Sequence, residues 1–323
     1  MAEPPVERLV SGVLEADGEA IAEALATVED TRGDTLPRQR ELLGRLEAET
    51  PREHSIVGLT GPPGAGKSTL AGALIRLWLE RGAGVGMVAV DPSSRHSGGA
   101  LLGDRARLRF AAEDRVFVRS MAARDQLGGL APATRGAAAV LRAAYPWTIV
   151  ETVGVGQSEV DVATLADSVV LVLQPGSGDT LQFMKAGILE IPDVLVVHKW
   201  DLGAVAERTR ADLESMLALQ SVSGKLDWSP PVVGASAETG HAVAQVADAV
   251  EAHRQHLEIG DALGERRARG RVAWAMERFE QRYGALGLER VGGREAAERS
   301  VREAAGTALD AFSSLATRAG LES

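Results

Sequence analysis

The chain has 323 residues, with 45% hydrophobic, 25% charged and 4% aromatic side chains, which is typical of a globular protein richer in helix than in sheet. Its formal net charge of −10 excludes a general binder of nucleic acid or of anionic membranes, because both require a basic face. The lack of cysteine excludes disulfides, thiolate zinc sites and iron–sulfur clusters.

The N-terminal segment, residues 1–50, is predicted to be a helical extension. Its first residues lack the apolar stretch of a secretory signal, and no part of the chain has the roughly 18 apolar residues of a membrane span, so we expect a cytoplasmic protein. Two apolar stripes at helical spacing predict two helices over residues 6–50. The first stripe comprises Val6, Leu9, Val10, Val13, Leu14, Ile21, Leu25 and Val28, and the second Leu42, Leu43 and Leu46.

Residues 51–257 contain short apolar runs separated by helical segments. Runs that are apolar on both faces suit buried parallel strands, and the intervening helices supply the crossovers. The pattern therefore predicts an α/β fold with a doubly wound, mostly parallel sheet. The predicted strands are Ser55–Thr60, Val85–Val90, the weaker Arg115–Arg119, Trp147–Thr152, Ser168–Leu173, Asp193–Val197 and Pro231–Ala235.

Residues 258–323 are predicted to be helical, with two amphipathic helices after the last strand. Their apolar stripes must be buried, either within the chain or in a homodimer interface, which makes this a candidate dimerisation segment. The basic run of Arg266, Arg267, Arg269 and Arg271 is interpreted as a solvated helix face. The stripes are Val272, Met276, Phe279 and Tyr283 in one helix, and Val301, Ala305, Ala308, Phe312 and Leu315 in the other.

A phosphate-binding motif follows the first predicted strand. Residues 61–68 read Gly-Pro-Pro-Gly-Ala-Gly-Lys-Ser, a full match to G-x-x-x-x-G-K-[ST] between a strand and a helix, which predicts a P-loop NTPase. Glycines allow backbone N–H groups to surround a phosphate at the helix N-terminus. Lys67 is predicted to reach the β- and γ-phosphates, and the Ser68 hydroxyl to bind Mg²⁺. The predicted nucleotide contacts here are Gly61, Pro62, Pro63, Gly64, Ala65, Gly66, Lys67, Ser68 and Thr69.

Three acids at strand ends or in connecting loops are candidate Mg²⁺ ligands or catalytic residues. Asp91 ends the second strand and either binds Mg²⁺ or caps the turn at Pro92. Asp104 lies in a glycine-rich loop and is either a metal-shell residue or a helix cap. Glu151 ends the Trp147–Thr152 strand and is predicted to face Mg²⁺, while Gly154 offers its N–H to the γ-phosphate. Gln157 either positions water or faces solvent.

The next strand ends in a sequence typical of guanine recognition. GTPases normally have Asn-Lys-x-Asp here, and this chain has His198, Lys199, Trp200 and Asp201. The aspartate accepts two hydrogen bonds from guanine, which adenine cannot donate. The lysine stem lies over the base. Because His198 replaces asparagine, we expect a guanine preference weaker than the full motif gives. Ser236, Ala237 and Glu238 follow the last strand and are predicted to contact the base.

Together these residues resemble the methylmalonyl-CoA mutase-associated GTPase family, also described as arginine/ornithine transport-system kinases. The resemblance implies a cytosolic homodimer that uses GTP and Mg²⁺ to gate cofactor loading and to protect an adenosylcobalamin-dependent acyl-CoA mutase. It also implies that Ser68, Asp91, Asp104 and Glu151 form the metal and switch set. Pro175–Lys185 would form a further switch loop, with Asp179 and Lys185 as polar members. The matching segments are Gly61–Leu70, Asp91–Ser94, Ser97–Arg105, Arg119–Met121, Leu127–Ala131, Glu151–Glu159, Pro175–Asp179 and Gly187–Glu190.

Three other functions stay open at this point. A metal-insertion GTPase of hydrogenase or urease maturation normally has a Cys/His metal site, but this chain has no cysteine and six scattered histidines. A protein kinase of a transport system needs an acceptor pocket, for which no sequence signal is found. A nucleotide-gated binding module with negligible turnover uses the same residues as a slow GTPase.

Overall fold

The structure is a computed structural model, and it describes residues 4–30, 32, 35–92, 110, 113–123, 132–154, 158–176, 191–221 and 227–321. Its centre is a seven-stranded sheet in which every paired strand is parallel. The spatial order is β3-β2-β4-β1-β5-β6-β7. The strands are β1 (Ser55–Thr60), β2 (Val85–Pro92), β3 (Val116–Ala123), β4 (Trp147–Glu151), β5 (Ser168–Leu173), β6 (Val194–Val197) and β7 (Val232–Gly234).

The order confirms the doubly wound topology. The chain begins in the middle at β1, runs to one edge through β2 and β3, and returns at β4 before it continues to the other edge. The register pairs Leu59 of β1 with Glu151 of β4, so both strands end together. In open sheets of this kind, ligands bind outside the carboxyl ends where the winding direction changes.

Helices cover both faces of the sheet. One face packs against α4 (Lys67–Glu80) and α8 (Val243–Leu257), around a core that includes the stacked rings of Trp78 and Trp147. The other face packs against α5 (Pro132–Ala144), α6 (Ser158–Leu165) and α7 (Ala204–Ser221). Among the described residues, no helix is both long enough and apolar enough to cross a membrane.

The N-terminal extension contains three helices, not the two predicted: α1 (Val6–Leu14), α2 (Gly18–Glu29) and α3 (Leu36–Glu49). The first helix ends because Ala16 adopts a φ of 58°. A new helix then starts, and the Asp17 carboxylate caps it by accepting a hydrogen bond from the Ala20 N–H. The apolar stripe continues across this break, since both helices bury their apolar residues against α5. Periodicity alone therefore missed the turn.

The C-terminal segment contains α9 (Ala262–Arg290), α10 (Arg294–Glu303) and α11 (Ala308–Arg318). The predicted second helix is wrong as one element: it ends at Glu303, and Thr307 and Asp310 form a capping box that starts α11. Met276, Phe279 and Phe312 are buried in one cluster formed by these three helices. Both predicted stripes thus pack within the chain, except that Ala305 is exposed.

The interpretation of the basic run as a solvated helix face is wrong for three of its four arginines, because Arg266, Arg267 and Arg271 are partly buried and Arg269 is exposed. Arg267 donates two hydrogen bonds to Asp167, at 2.8 and 2.9 Å. Arg266 donates two to Asp193, at 3.0 and 2.6 Å. Each aspartate also accepts a strand N–H, from Ile56 and Val169 respectively. These pairs attach α9 to the amino ends of β1 and β5.

Candidate nucleotide site

The P-loop connects β1 to α4, and its glycines are required by their backbone conformation and, at Gly61 and Gly66, also by close contacts. Gly61, Gly64 and Gly66 have φ values of 133°, 78° and 97°, in the left-handed region that other residues rarely adopt. A Cβ on Gly61 would lie 2.0 Å from the Val172 carbonyl oxygen, and one on Gly66 would lie 2.3 Å from Nδ1 of His198. The loop can therefore have this shape only with glycine at these positions.

Lys67 and Ser68 begin α4 and are bonded to the loop and to β4. The buried Lys67 ammonium donates to the carbonyl oxygens of Gly61 and Pro62, at 2.7 and 3.1 Å. The Ser68 hydroxyl donates to Oε1 of Glu151 at 2.5 Å. Pro63 and Thr69 are exposed and Ala65 is buried. The structure thus brings together Lys67, Ser68 and Glu151, which were predicted from separate motifs.

The segment after β4 lies against the P-loop. Gly154 has a φ of 78°, and a Cβ there would lie 1.8 Å from the Gly61 carbonyl oxygen and 2.7 Å from Nζ of Lys67. The Thr152 hydroxyl donates to the Thr60 hydroxyl at 3.1 Å, which joins the ends of β4 and β1. Gly154 is therefore placed where its backbone contacts the loop, and its predicted role toward a γ-phosphate stays a prediction.

The remaining predicted acids are located only in part. The backbone of Asp91 lies in β2, two residues beyond the register position that pairs with Glu151, at the carboxyl edge of the sheet. Its side chain lies outside the described residues, as do Asp104, Gln157, Asp179 and Lys185. Their roles stay predictions.

His198 connects the P-loop to the loop after β7. Its Nδ1 lies 3.0 Å from the Ala65 carbonyl oxygen, and its Nε2 accepts the Ala237 N–H at 3.2 Å. These partners fix a neutral imidazole with the proton on Nδ1. Burial lowers the pKa of His198, which favours the same neutral form. His198 therefore braces the P-loop with one donor and one acceptor.

The residues that follow His198 present polar groups at the same edge. The Lys199 ammonium donates to the Gly64 carbonyl and to Oε1 of Gln174, both at 2.9 Å. Asp201 is exposed, and the Ser236 hydroxyl donates to its Oδ1 at 2.7 Å, a bond that lowers the pKa of Asp201. Glu238 is exposed beside them. An ionised, solvent-facing carboxylate next to a lysine stem is what guanine recognition requires.

Two contributors were missed by sequence reasoning. Gln174 directly follows β5 and bonds Lys199; its position as a polar residue at a strand end next to the P-loop was the available signal. Trp200 packs on Gly234, where a Cβ would lie 2.2 Å from the indole ring. That contact fixes the turn carrying Asp201, and no local pattern indicated it.

These residues fit a magnesium nucleoside triphosphate. The glycine loop at the N-terminus of α4 leaves no room for Cβ atoms at Gly61 or Gly66 and places backbone N–H groups and Lys67 together, which suits phosphate. The Ser68 hydroxyl and the Glu151 carboxylate are hard oxygen ligands in mutual contact, which suits Mg²⁺.

Known proteins resemble this chain over the segment that contains the candidate nucleotide site. A model of the family described as methylmalonyl Co-A mutase-associated GTPase MeaB matches residues 21–286. A Pyrococcus horikoshii protein named as a GTPase is 41% identical over 267 residues, 81% of this chain and 82% of its own. A Mus musculus protein named methylmalonic aciduria type A homolog, mitochondrial, is 34% identical over 281 residues, 83% of this chain and 68% of its own. A crystal structure of an LAO/AO transport system kinase matches with a TM-score of 0.69 at 25% identity, over 94% of this chain and 91% of that one.

Proposed function

The chain belongs to the methylmalonyl-CoA mutase-associated GTPase family, and on that premise we propose that it is the GTP-dependent chaperone of an adenosylcobalamin-dependent acyl-CoA mutase. In this proposal GTP binding and hydrolysis gate cofactor loading and protect or reactivate the mutase. The guanine nucleotide follows from membership of the GTPase family.

The observation that carries the base assignment is the placement of Asp201. Its exposed carboxylate is held by Ser236, and Lys199 anchors the same turn to the Gly64 carbonyl. The carboxylate is free to accept both N–H groups of guanine, whereas adenine offers only an acceptor at the equivalent ring nitrogen. His198 uses both ring nitrogens on the protein, so it supports the loops and leaves base selection to Asp201.

Hydrolysis needs charge stabilisation at the γ-phosphate and an oriented water. Ser68 and Glu151 would hold Mg²⁺, with Asp91 and Asp104 as further candidate ligands. The bound ion would neutralise charge on the phosphates. Lys67 would exchange its bonds to loop carbonyls for phosphate oxygens. Gly154 lies against Gly61 and Lys67, so the segment after β4 responds directly to the state of the P-loop.

The mutase is expected to contact Pro175–Lys185 and to sense the nucleotide through it. Gln174, which bonds Lys199, directly precedes this segment and supports such a link. We further propose a cytoplasmic homodimer formed by residues after 257, with residues 51–257 as the GTPase domain and 1–50 as a helical extension. Because Met276, Phe279 and Phe312 are buried within the chain, the dimer would use the opposite faces of these helices.

A calorimetric titration against an adenosylcobalamin-dependent acyl-CoA mutase tests the proposal. We expect binding whose affinity differs at least tenfold between the GDP-loaded chain and the chain loaded with a non-hydrolysable GTP analogue. Lys67→Ala should bind the mutase without that difference, because its phosphate contact is lost. Equal affinity in both nucleotide states, or no binding to any acyl-CoA mutase, would refute the chaperone role while leaving the GTPase assignment intact.

A further inference from the structure

A cavity of about 140 Å³ lies between the N-terminal helices, the GTPase domain and the C-terminal helices. Residues of α3, α5, α6, α9 and α11 line it, together with Ile56 at the start of β1. It is therefore on the side of the sheet's amino ends, and none of its lining residues belongs to the nucleotide site. The cavity is thus separate from the nucleotide site.

Five arginines line this cavity, which is unusual for a chain with a net charge of −10. Arg267 is neutralised by Asp167. The other four form no ion pair within the described part of the chain: Arg135, Arg142, Arg271 and Arg278. Glu47 is the one acid among the described residues of the lining. Glu277 lies outside the lining, and its negative charge raises the pKa of Arg135. Four arginines facing two carboxylates leave the cavity with an excess of two positive charges.

The same four arginines each have a buried Nε–H without a hydrogen-bond acceptor among the described residues. Arg142 is the clearest case, because its side chain is nine-tenths buried and donates no hydrogen bond to that part of the chain. Arg135 uses Nη2 on the carbonyl and hydroxyl of Thr164, and Arg271 uses Nη1 on the Gly306 carbonyl. Buried donors are nearly always paired in native proteins, so four at one cavity call for an acceptor.

Burial also opposes the charged form of these side chains. It lowers the pKa of Arg135 to about 10, and it lowers the pKa of Arg142 and of Arg278. Arg278 and Arg135 lie over the ring of Trp274, at 5.4 and 5.6 Å from its centroid, which offsets only part of that cost. An anion in the cavity would supply both the missing charge and the missing acceptors.

We propose that this cavity binds a small organic dianion, whose carboxylate or phosphate oxygens accept hydrogen bonds from Arg142, Arg135 and Arg278. Guanidinium groups suit such oxyanions because each presents two parallel N–H donors. Leu43, Leu165 and Trp274 give the cavity apolar walls, which favour a ligand with a short hydrocarbon body. A void of about 150 Å³ holds a benzene-sized molecule, so the cavity suits about six to nine non-hydrogen atoms.

Such a ligand would join three parts of the fold. Arg142 and Arg135 belong to α5, Thr164 and Leu165 to α6, and Arg278 to α9. A ligand bound by all three helices stabilises the folded chain in proportion to its occupancy, since the site does not exist in the unfolded chain. The melting temperature is thus a direct readout.

The test is a thermal-shift titration of the full chain saturated with GDP and Mg²⁺, which keeps phosphate and carboxylate probes out of the P-loop. The probes are glutarate, inorganic phosphate, and sodium chloride at matched ionic strength. We expect a saturable rise in melting temperature with glutarate or phosphate, at concentrations at least tenfold below any effect of chloride. A lower midpoint for glutarate identifies a dicarboxylate, and a lower midpoint for phosphate identifies a phosphate ester.

Arg142→Met separates binding from a structural role. It should weaken the response to glutarate and phosphate at least tenfold, while the ligand-free melting temperature stays equal or rises, because a buried unpaired charge has been removed. Arg210→Met is the matched control, since Arg210 lies exposed on α7 and pairs with Glu214; it should respond like the wild type.

Trp274→Phe gives a second measurement if Arg142→Met does not fold. Intrinsic fluorescence of the wild type should change with the same midpoint as the melting temperature, and Trp274→Phe should lose that change because Trp274 lines the cavity. The proposal is wrong if neither probe gives a saturable shift, or if wild type and Arg142→Met respond alike.

Discussion

The two ends of the same sheet use charged residues in opposite ways. At the amino end, Asp167 and Asp193 directly precede β5 and β6, and each accepts a strand N–H and a bidentate arginine from α9. At the carboxyl end, Glu151 and Asp201 accept hydrogen bonds from serine hydroxyls, Ser68 and Ser236. Arginines balance the charge of the two aspartates at the amino end, whereas the neutral Ser236 hydroxyl holds the Asp201 carboxylate at the carboxyl end.

We infer from this difference that the charged residues at the amino end stabilise the fold, whereas those at the carboxyl end are available to bind a ligand. A carboxylate paired with arginine has its charge balanced and its acceptors occupied, so it has little left to offer a ligand. The Asp201 carboxylate, which accepts the Ser236 hydroxyl, is oriented but keeps its charge and further acceptor sites for a ligand. Substitutions at the amino end should therefore change unfolding and leave nucleotide affinity alone, and substitutions at the carboxyl end should do the reverse.

The largest expected effect is at Arg267. Arg267→Met leaves the Asp167 carboxylate, whose side chain is only 2% exposed, without its charged partner. Removing one member of a buried pair costs about 3–5 kcal/mol, because the other charge stays buried. Urea unfolding should show that loss of unfolding free energy, while GDP affinity stays within about twofold of the wild type.

Arg269→Met is the matched control on the same helix, since Arg269 is 71% exposed and pairs only with Glu265 four residues away. It should cost well under 1 kcal/mol. The double variant Arg267→Met/Asp167→Asn should recover part of the loss. A large fall in GDP affinity in Arg267→Met would mean that the two ends of the sheet are not independent.

At the carboxyl end, Asp201→Asn is expected to exchange the base preference. Asparagine can still accept the Ser236 hydrogen bond, so the loop should be retained. Its amide cannot accept both guanine N–H groups but complements xanthine, so GTP affinity should fall roughly 100-fold and xanthosine triphosphate should become the better ligand. Competition against labelled GDP measures both, and unfolding free energy should not change.

Glu207 is an exposed acid in the first turn of α7. The variant Glu207→Gln therefore controls for the loss of one negative charge near this loop. It should bind GTP like the wild type. Unaltered GTP affinity in Asp201→Asn would contradict the assignment of Asp201 to the base.

The sequence predicts this carboxyl end well because its parts are local. The P-loop, the end of β4 and His198–Asp201 are each a short motif at a strand terminus, and parallel strands bring their carboxyl ends to one edge. All seven strands were located from apolar runs for a related reason, since a strand buried on both faces has a continuous local pattern. The family resemblance was confirmed as well.

The amino end was not predictable in the same way. Arg267 and Asp167 are 100 residues apart, and neither belongs to a motif, so an arginine-rich helix resembled a solvated face. The two missed helix breaks, at Ala16 and at Thr307, have a similar cause, since apolar periodicity continues across a turn when both helices bury the same side. The two bonds of His198 were not predicted, because they go to backbone atoms that are distant in the sequence.

Acid should weaken the amino end through His253. Its Nδ1 accepts from the Ser168 hydroxyl at 2.7 Å, and its Nε2 lies 3.2 Å from Oδ1 of Asp193. Burial lowers the pKa of His253 to about 4, although Asp193 opposes that shift. The unfolded chain, with a histidine pKa near 6.5, binds the proton more readily, so stability is full above about pH 6.5 and is lost as pH falls toward 4. The loss is about 2–3 kcal/mol by pH 4.5.

Urea unfolding at pH 7 and pH 4.5 measures this loss, and His253→Gln should reduce the difference by most of that amount. His54 and His198, whose pKa values are also lowered by burial, act in the same direction and leave a residual dependence. His241→Gln, at an exposed position, should keep the wild-type difference. An unchanged pH dependence in His253→Gln would show that this network does not govern the amino end.

The smallest expected effect tests whether His198 selects the base or only supports the loops. His198→Ala leaves the Ala65 carbonyl and the Ala237 N–H unpaired, so binding must order both loops, and GDP affinity should fall about tenfold. Inosine diphosphate lacks the guanine amino group that Asp201 is expected to bind. Since both ring nitrogens of His198 are used on the protein, calorimetry should give the same GDP to inosine diphosphate affinity ratio in wild type and His198→Ala. A ratio that changes together with affinity would place His198 against the base, and the weaker guanine preference expected from replacing asparagine would then be correct.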